Sequence, residues 1–255
     1  MRLGKIGIAA AILQAEYKSK IGTSKGAQAR AIRDIGFQRD FVTSWHYKLV
    51  QLLTAGRLKE DAPRVFEDVA FIVFNYDRCL EQYVKLALTA YYNDPTLVDQ
   101  AMQSLRIVHP YGQVGAMPWQ DGVSIPFGGK AEGQLRNVAD EVLTFTESAR
   151  SGVVDEVKLM IEEANSLVLM GFGYLPQNID LLTVNRPSNV DRVFNTSCGI
   201  SDSDKEYIDD DIERMLKRER KPLVDIGVEI PGFSQYDERG TCSDLMRNHW
   251  MRLTR

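Results

Sequence analysis

Cysteine, histidine and long apolar runs are all scarce in this chain, and each scarcity closes off a class of protein. The 255 residues include 3 cysteines, Cys79, Cys198 and Cys242, far apart and with no C-x-x-C pair. An odd, scattered set suits neither a disulfide framework nor a structural zinc site. The 3 histidines, His46, His109 and His249, are as dispersed, so no metal is expected. No apolar run is long enough to cross a bilayer. A net charge of −4 implies no general nucleic-acid-binding surface. Internal repeats and a convincing linker are also missing. Residues 1–13 imitate a signal peptide, with a basic start and an apolar middle. However, Gln14-Ala15-Glu16-Tyr17-Lys18 carries the helical pattern on, and no small-residue cleavage site follows. The expectation is a cytoplasmic protein folded as a single domain over residues 1–255, with neither membrane nor nucleic acid as a partner.

What is present is the composition of an ordinary globular protein, 44% hydrophobic and 26% charged, long enough to bury a substantial core. The most informative stretch is Val69-Ala70-Phe71-Ile72-Val73-Phe74-Asn75-Tyr76-Asp77-Arg78-Cys79-Leu80-Glu81. An apolar run rich in branched and aromatic residues reads as a strand covered on both faces, and an amphipathic helix over 80–92 follows. Asn75 and Asp77 fall in the turn between them, where α/β sheets place ligands. Asp77 is equally suited to N-capping that helix.

Other elements follow the same reading. Helices are predicted over 5–18, 41–53, 95–105 and 156–165, with His46 as a packing residue of the second. Gly22-Thr23-Ser24-Lys25-Gly26 lacks the full spacing of a phosphate-binding loop and reads as a connector. Strands are predicted over 106–108, 166–170 and 191–196. A Gly/Pro-rich loop over 116–133 is the expected substrate-side segment. Pro176 opens a short helix to 182, and a charged helix over 203–218 begins with Ser203 and Glu206 as a capping box. Within it, Asp209-Asp210-Asp211 reads as a solvated face. A closing helix is predicted over 243–251.

Three of the strands end in chemistry-bearing turns: Asn75/Asp77, His109, and Gly171/Gly173. In one parallel sheet these ends lie on one edge and converge, making a nucleotide-like site. His109 is the candidate general base, Asn75 a hydrogen-bonding partner for a sugar or a water, and the glycine turn an opening for a pyrophosphate. The bland alternative is that Asp77 is only a cap and His109 a satisfied buried histidine.

Phe74-Asn75-Tyr76-Asp77 with Leu80-Glu81, then Val108-His109-Pro110-Tyr111-Gly112, then Gly171-Phe172-Gly173 with Pro176-Gln177-Asn178, resembles the Sir2-like NAD-binding family. The likeness is to its bacterial and phage-defence branch and covers roughly residues 66–182. It implies an α/β, Rossmann-like three-layer sandwich with a mainly parallel sheet and helical insertions. Residues 66–200 would form the nucleotide-binding core, with 1–65 helical and 201–255 a helical C-terminal extension. The resemblance places Asn75 and Asp77 beside the nicotinamide ribose and makes His109 the catalytic base. Tyr76, Gly112, Gly171, Phe172, Gly173 and Asn178 become cofactor-binding positions. It implies NAD as substrate or ligand, no metal, and an NAD hydrolase releasing nicotinamide, with an antiviral defence role.

Two departures qualify it. The zinc ribbon of the protein deacetylases has no counterpart, which disfavours deacetylation. The family's opening strand and Gly-rich loop have no counterpart in this sequence, so the expectation is a domain without its first βα unit, either a truncated fragment or a relative that lost the loop. Phosphate binding should be weakened, and the alternatives become a non-catalytic nucleotide-sensing or protein-interaction module on the same fold, or a truncated inactive fragment. A second copy or a partner chain is then expected on the exposed sheet edge.

Overall fold

Residues 2–22, 41–131, 133–149, 152–221 and 232–254 are described by a computed structural model. The chain divides into two compact units, Met1–Ser148 and Ala149–Arg255. It is a mixed α/β protein whose strands are short and all pair in parallel. Among the described residues no helix is long and apolar enough to cross a membrane. Residues 23–26 of the Gly-rich segment lie outside the described residues.

In the first unit, α1 (Arg2–Lys18) buries Ala9 and Leu13 in a cluster with Val114, Ile125, Val138, Ala139 and Val142. α2 (Trp45–Thr54) starts at Ser44, whose side chain accepts from the Tyr47 amide, and buries Leu49, Val50 and Leu53. A 3-10 turn over Lys59–Arg64 leads to β1 (Ala70–Ile72). α3 (Cys79–Tyr92) ends at Asn93, in the left-handed region at φ 51°, a conformation Asn tolerates better than most residues. Asp94 then caps α4 (Pro95–Gln103) by accepting from the Leu97 amide at 3.3 Å, with Pro95 in the favoured first turn. β2 (Arg106–Val108) pairs with β1 in the register Ala70↔Arg106 to Ile72↔Val108. α5 (Leu135–Glu141) and α6 (Phe145–Ser148) complete the unit.

The first strand is shorter and less covered than its apolar run predicts: Ala70 is exposed, and Phe71 and Ile72 are half-buried. One further ladder bond, from the Val73 amide to the Val108 carbonyl at 2.9 Å, closes the pairing. Beyond it the two chains stay joined through their turns. The loop after 115 is irregular, as expected, yet Ala116, Met117, Ile125 and Phe127 are buried and fill the core.

The second unit holds α7 (Val153–Glu163), β3 (Ser166–Leu169), α8 (Pro176–Leu182), β4 (Arg192–Thr196), α9 (Asp202–Leu216), β5 (Ser234–Glu238), α10 (Cys242–Asn248) and α11 (Trp250–Leu253). Its sheet runs β3-β4-β5, with β4 central and the helices α8 and α9 as crossovers. Central placement explains why Val193 and Phe194 are fully buried. β5 escapes sequence reading because Ser-Gln-Tyr-Asp-Glu has no apolar run; its half-buried residues suit an outer strand.

Two local expectations are corrected. The cap of α9 is Ser201, not Ser203: its Oγ accepts from the Asp204 amide at 3.1 Å and donates to Asp204 Oδ2 at 2.8 Å. Asp209 is not solvated but buried, held by Lys205, Arg220 and Gln235.

Candidate functional site

At the end of β1 the chain turns through Asn75, Tyr76 and Asp77 into α3. At the end of β2 it turns through His109 to Gly112. Two bonds lace these turns together: the Val114 amide donates to the Tyr76 carbonyl at 3.0 Å, and His109 Nδ1 lies 2.8 Å from the Asn75 carbonyl. A carbonyl only accepts, so Nδ1 carries hydrogen. The other ring nitrogen, Nε2, is 3.1 Å from Glu81 Oε1 on the first turn of α3. Both side chains are enclosed, at 4% exposure for His109 and 0% for Glu81. Burial works against the imidazolium, but the hydrogen bond and charge of Glu81, then the Asn75 carbonyl and Asp77, outweigh it. The His109 pKa is therefore raised above 6.5.

The remaining sequence candidates of this unit divide by role. Asn75 is exposed and engages His109 only through its backbone. Asp77 Oδ1 accepts from the Cys79 amide at 3.1 Å, so it serves the helix start although Arg78 holds the formal cap position. Burial and then Asp77 push the Cys79 thiol far up, which excludes a resting thiolate there. Burial lowers the His46 pKa against the pull of Asp77, and its ring stacks on Trp45 at 3.8 Å. Tyr76 packs against the α1 cluster and donates to the Leu143 carbonyl at 3.3 Å, which makes it part of the core.

Gly112, at φ 73°, closes the turn by donating to the His109 carbonyl at 2.9 Å; a Cβ there would run into the Glu141 carbonyl. Alanine at 112 is expected to cost at least about 1–2 kcal/mol from the backbone alone. Thermal unfolding measures this, and an unchanged midpoint would contradict the packing described.

Glu81 and Arg78 are the residues of this site to which sequence reading assigned no role. No sequence pattern marks them: both are charged residues at the start of a helix, and their enclosure shows only in the fold. Arg78 is 0% exposed and pairs with Glu16 of α1, itself 1% exposed, at 2.6 Å. Arg78 also donates to the Ile125 and Gly115 carbonyls, while Glu16 accepts from the backbone amides of Arg78 and Gly128. The turn bearing Asn75 and Asp77 is thus anchored from behind.

Gly171, Phe172, Gly173 and Asn178 belong to the second unit. Gly171, at φ 59°, and Gly173 are exposed beyond β3, and the Gly171 amide donates to Thr196 Oγ1 at 2.9 Å. Phe172 meets Tyr174 edge-on at 5.2 Å, and the Asn178 amide donates to the Leu175 carbonyl in the first turn of α8. On the same sheet Asp237 accepts from Asn195 Nδ2 at 2.8 Å and Ser197 Oγ at 2.9 Å. These are mutually satisfied groups.

Among the described residues no group of three or more His, Cys, Asp or Glu side chains is arranged to hold a metal. Fold and site together define an α/β protein with a buried His–Glu pair where two parallel strands end. The chain matches no family model, no curated protein and no solved structure.

Proposed function

We propose that this protein is a Sir2-like, Rossmann-like NAD-binding enzyme that hydrolyses NAD to nicotinamide and ADP-ribose. The observation that carries the reading is the 2.8 Å bond from His109 to the Asn75 carbonyl. It joins the ends of two parallel strands, the position at which such sheets take ligands. In the reaction the bond from ribose C1′ to nicotinamide breaks, and its electron pair leaves with nicotinamide. Water bonds to the oxocarbenium-like C1′ and loses a proton. The exposed Asn75 amide would orient ribose or water, Asp77 would offset developing positive charge, and His109 would take the proton.

The burial of His109, with both ring nitrogens engaged, favours a second reading in which the module senses a nucleotide without consuming it. A partner chain on an open sheet edge and a defence role stay part of both readings. The test is nicotinamide release from NAD by the purified chain, followed by chromatography, beside Asn75→Ala. Only the backbone of Asn75 supports His109, so this variant should fold normally and lose at least about 100-fold in rate, the usual scale for one group stabilising a transition state. Equal rates in both proteins would remove Asn75 from the mechanism. No release by the parent would leave the sensing module.

A further inference from the structure

We propose that Glu81 is a positioning residue: its buried carboxylate orients the His109 ring and keeps hydrogen on both ring nitrogens, so that His109 rests as an acid and becomes a base only after giving up that proton. Its catalytic consequence rests on the reading above; the proton inventory does not.

The geometry argues it in three steps. First, Nδ1 faces a carbonyl at 2.8 Å and must carry hydrogen. Second, Nε2 faces Glu81 Oε1 at 3.1 Å, and two lone pairs do not hold that distance without a hydrogen between them. Third, an enclosed ionised carboxylate is stabilised by a cation beside it, and the other neighbouring cations are already committed. Arg78 is bound to Glu16 at 2.6 Å, and Lys85, one turn further along α3, is paired with Asp99 at 2.9 Å and stands 4.7 Å from the Trp119 ring. Glu81 Oε2 is buried and has no hydrogen-bond partner among the described residues, so His109 is the group that answers its charge. From the β1–α3 turn Asp77 acts on the ring with the same sign as Glu81, and Asp77 also draws on His46 of α2. Every charge described around the imidazole therefore either holds its proton in place or is spent elsewhere.

The consequence for the proposed chemistry is specific. A protonated ring cannot accept a proton from water, so the rate should climb with pH as His109 deprotonates. Removing the Glu81 charge should move that climb to lower pH. Glu81 would then set the pH range of the site without touching substrate.

The deciding measurement is a ring-nitrogen NMR titration of the intact chain, in which 3 histidines give an assignable spectrum. The parent should show His109 with both ring nitrogens protonated until the pH passes a midpoint that lies above 6.5. Glu81→Gln should bring the midpoint down by about 1–3 pH units, the usual effect of an adjacent opposite charge. Glu81→Asp, which keeps the charge on a shorter arm, should recover part of the shift and serves if the glutamine variant does not fold. A parent midpoint at or below 6.5, or an unchanged midpoint in whichever variant folds, would overturn the proposal. Where nicotinamide is released, Glu81→Gln should move the alkaline climb of the rate by the same amount, and Asn75→Ala should lower the rate without moving it. If no protein releases nicotinamide, the hydrolase reading fails while the NMR titration still decides the role of Glu81.

Discussion

Replacing Arg78 with methionine should destabilise the first unit by about 3–5 kcal/mol, because one partner of a fully buried ion pair is lost and the other left charged. Surface ion pairs contribute about 0–1 kcal/mol at most; the difference here is enclosure, with Arg78 at 0% and Glu16 at 1% exposure. Loss of the guanidinium also orphans the Ile125 and Gly115 carbonyls. Removing both charges, as in Arg78→Met with Glu16→Leu, should recover only part of the loss. Glu16 also serves the backbone amides of Arg78 and Gly128, and leucine would leave both without an acceptor. Urea unfolding of the parent, the single and the double variants measures these differences. A single-variant loss below about 1 kcal/mol, the scale of surface pairs, would contradict the anchoring role.

The second large effect is expected at His109. Alanine there leaves Glu81 as a buried charge without its counterion, again a loss of about 3–5 kcal/mol. Adding Glu81→Gln should restore part of it, since the pair is coupled and the two changes do not add. The pH dependence has a definite sign. A histidine whose pKa is raised by folding stabilises fully below its unfolded value, and that contribution is lost as pH rises through the folded one. The first unit should therefore lose stability from about pH 6.5 upward, and His109→Ala should lack that fall. A parent whose stability is flat across this range would contradict the ion pair. It also follows that lost activity in His109→Ala does not alone prove a catalytic role, and Asn75→Ala is the cleaner variant.

Much of the architecture was legible in the residues. The strand at 106–108 and the helix at 176–182 fall where branched residues and Pro176 predict them. Asp77 contributes to the start of α3 as an Asx residue after a strand should. Parallel pairing of two strands that end in polar turns brings the Asn75 backbone to His109. The Asn75 side chain is exposed and the His109 ring buried, so the expected convergence of the two side chains is not seen. Other features lay beyond sequence patterns. β5 is polar and is held as a strand by its pairing with β4, a tertiary cause that local propensity does not express. The partners of Glu81 and Glu16 are 28 and 62 positions away in sequence, and a charge on a helix says nothing of what it faces until the fold is known. Asp209 departs from the expectation for the same reason: three consecutive aspartates look solvated, yet helical geometry turns one of them inward toward Lys205 and Arg220.

The central claim is that the joined ends of β1 and β2 receive NAD. Its most direct test is backbone amide NMR of the labelled chain titrated with NAD. The account predicts dose-dependent shifts centred on residues 75–79 and 109–112, diminished in Asn75→Ala. The absence of shifts there at millimolar NAD, or shifts confined to other parts of the chain, would contradict it.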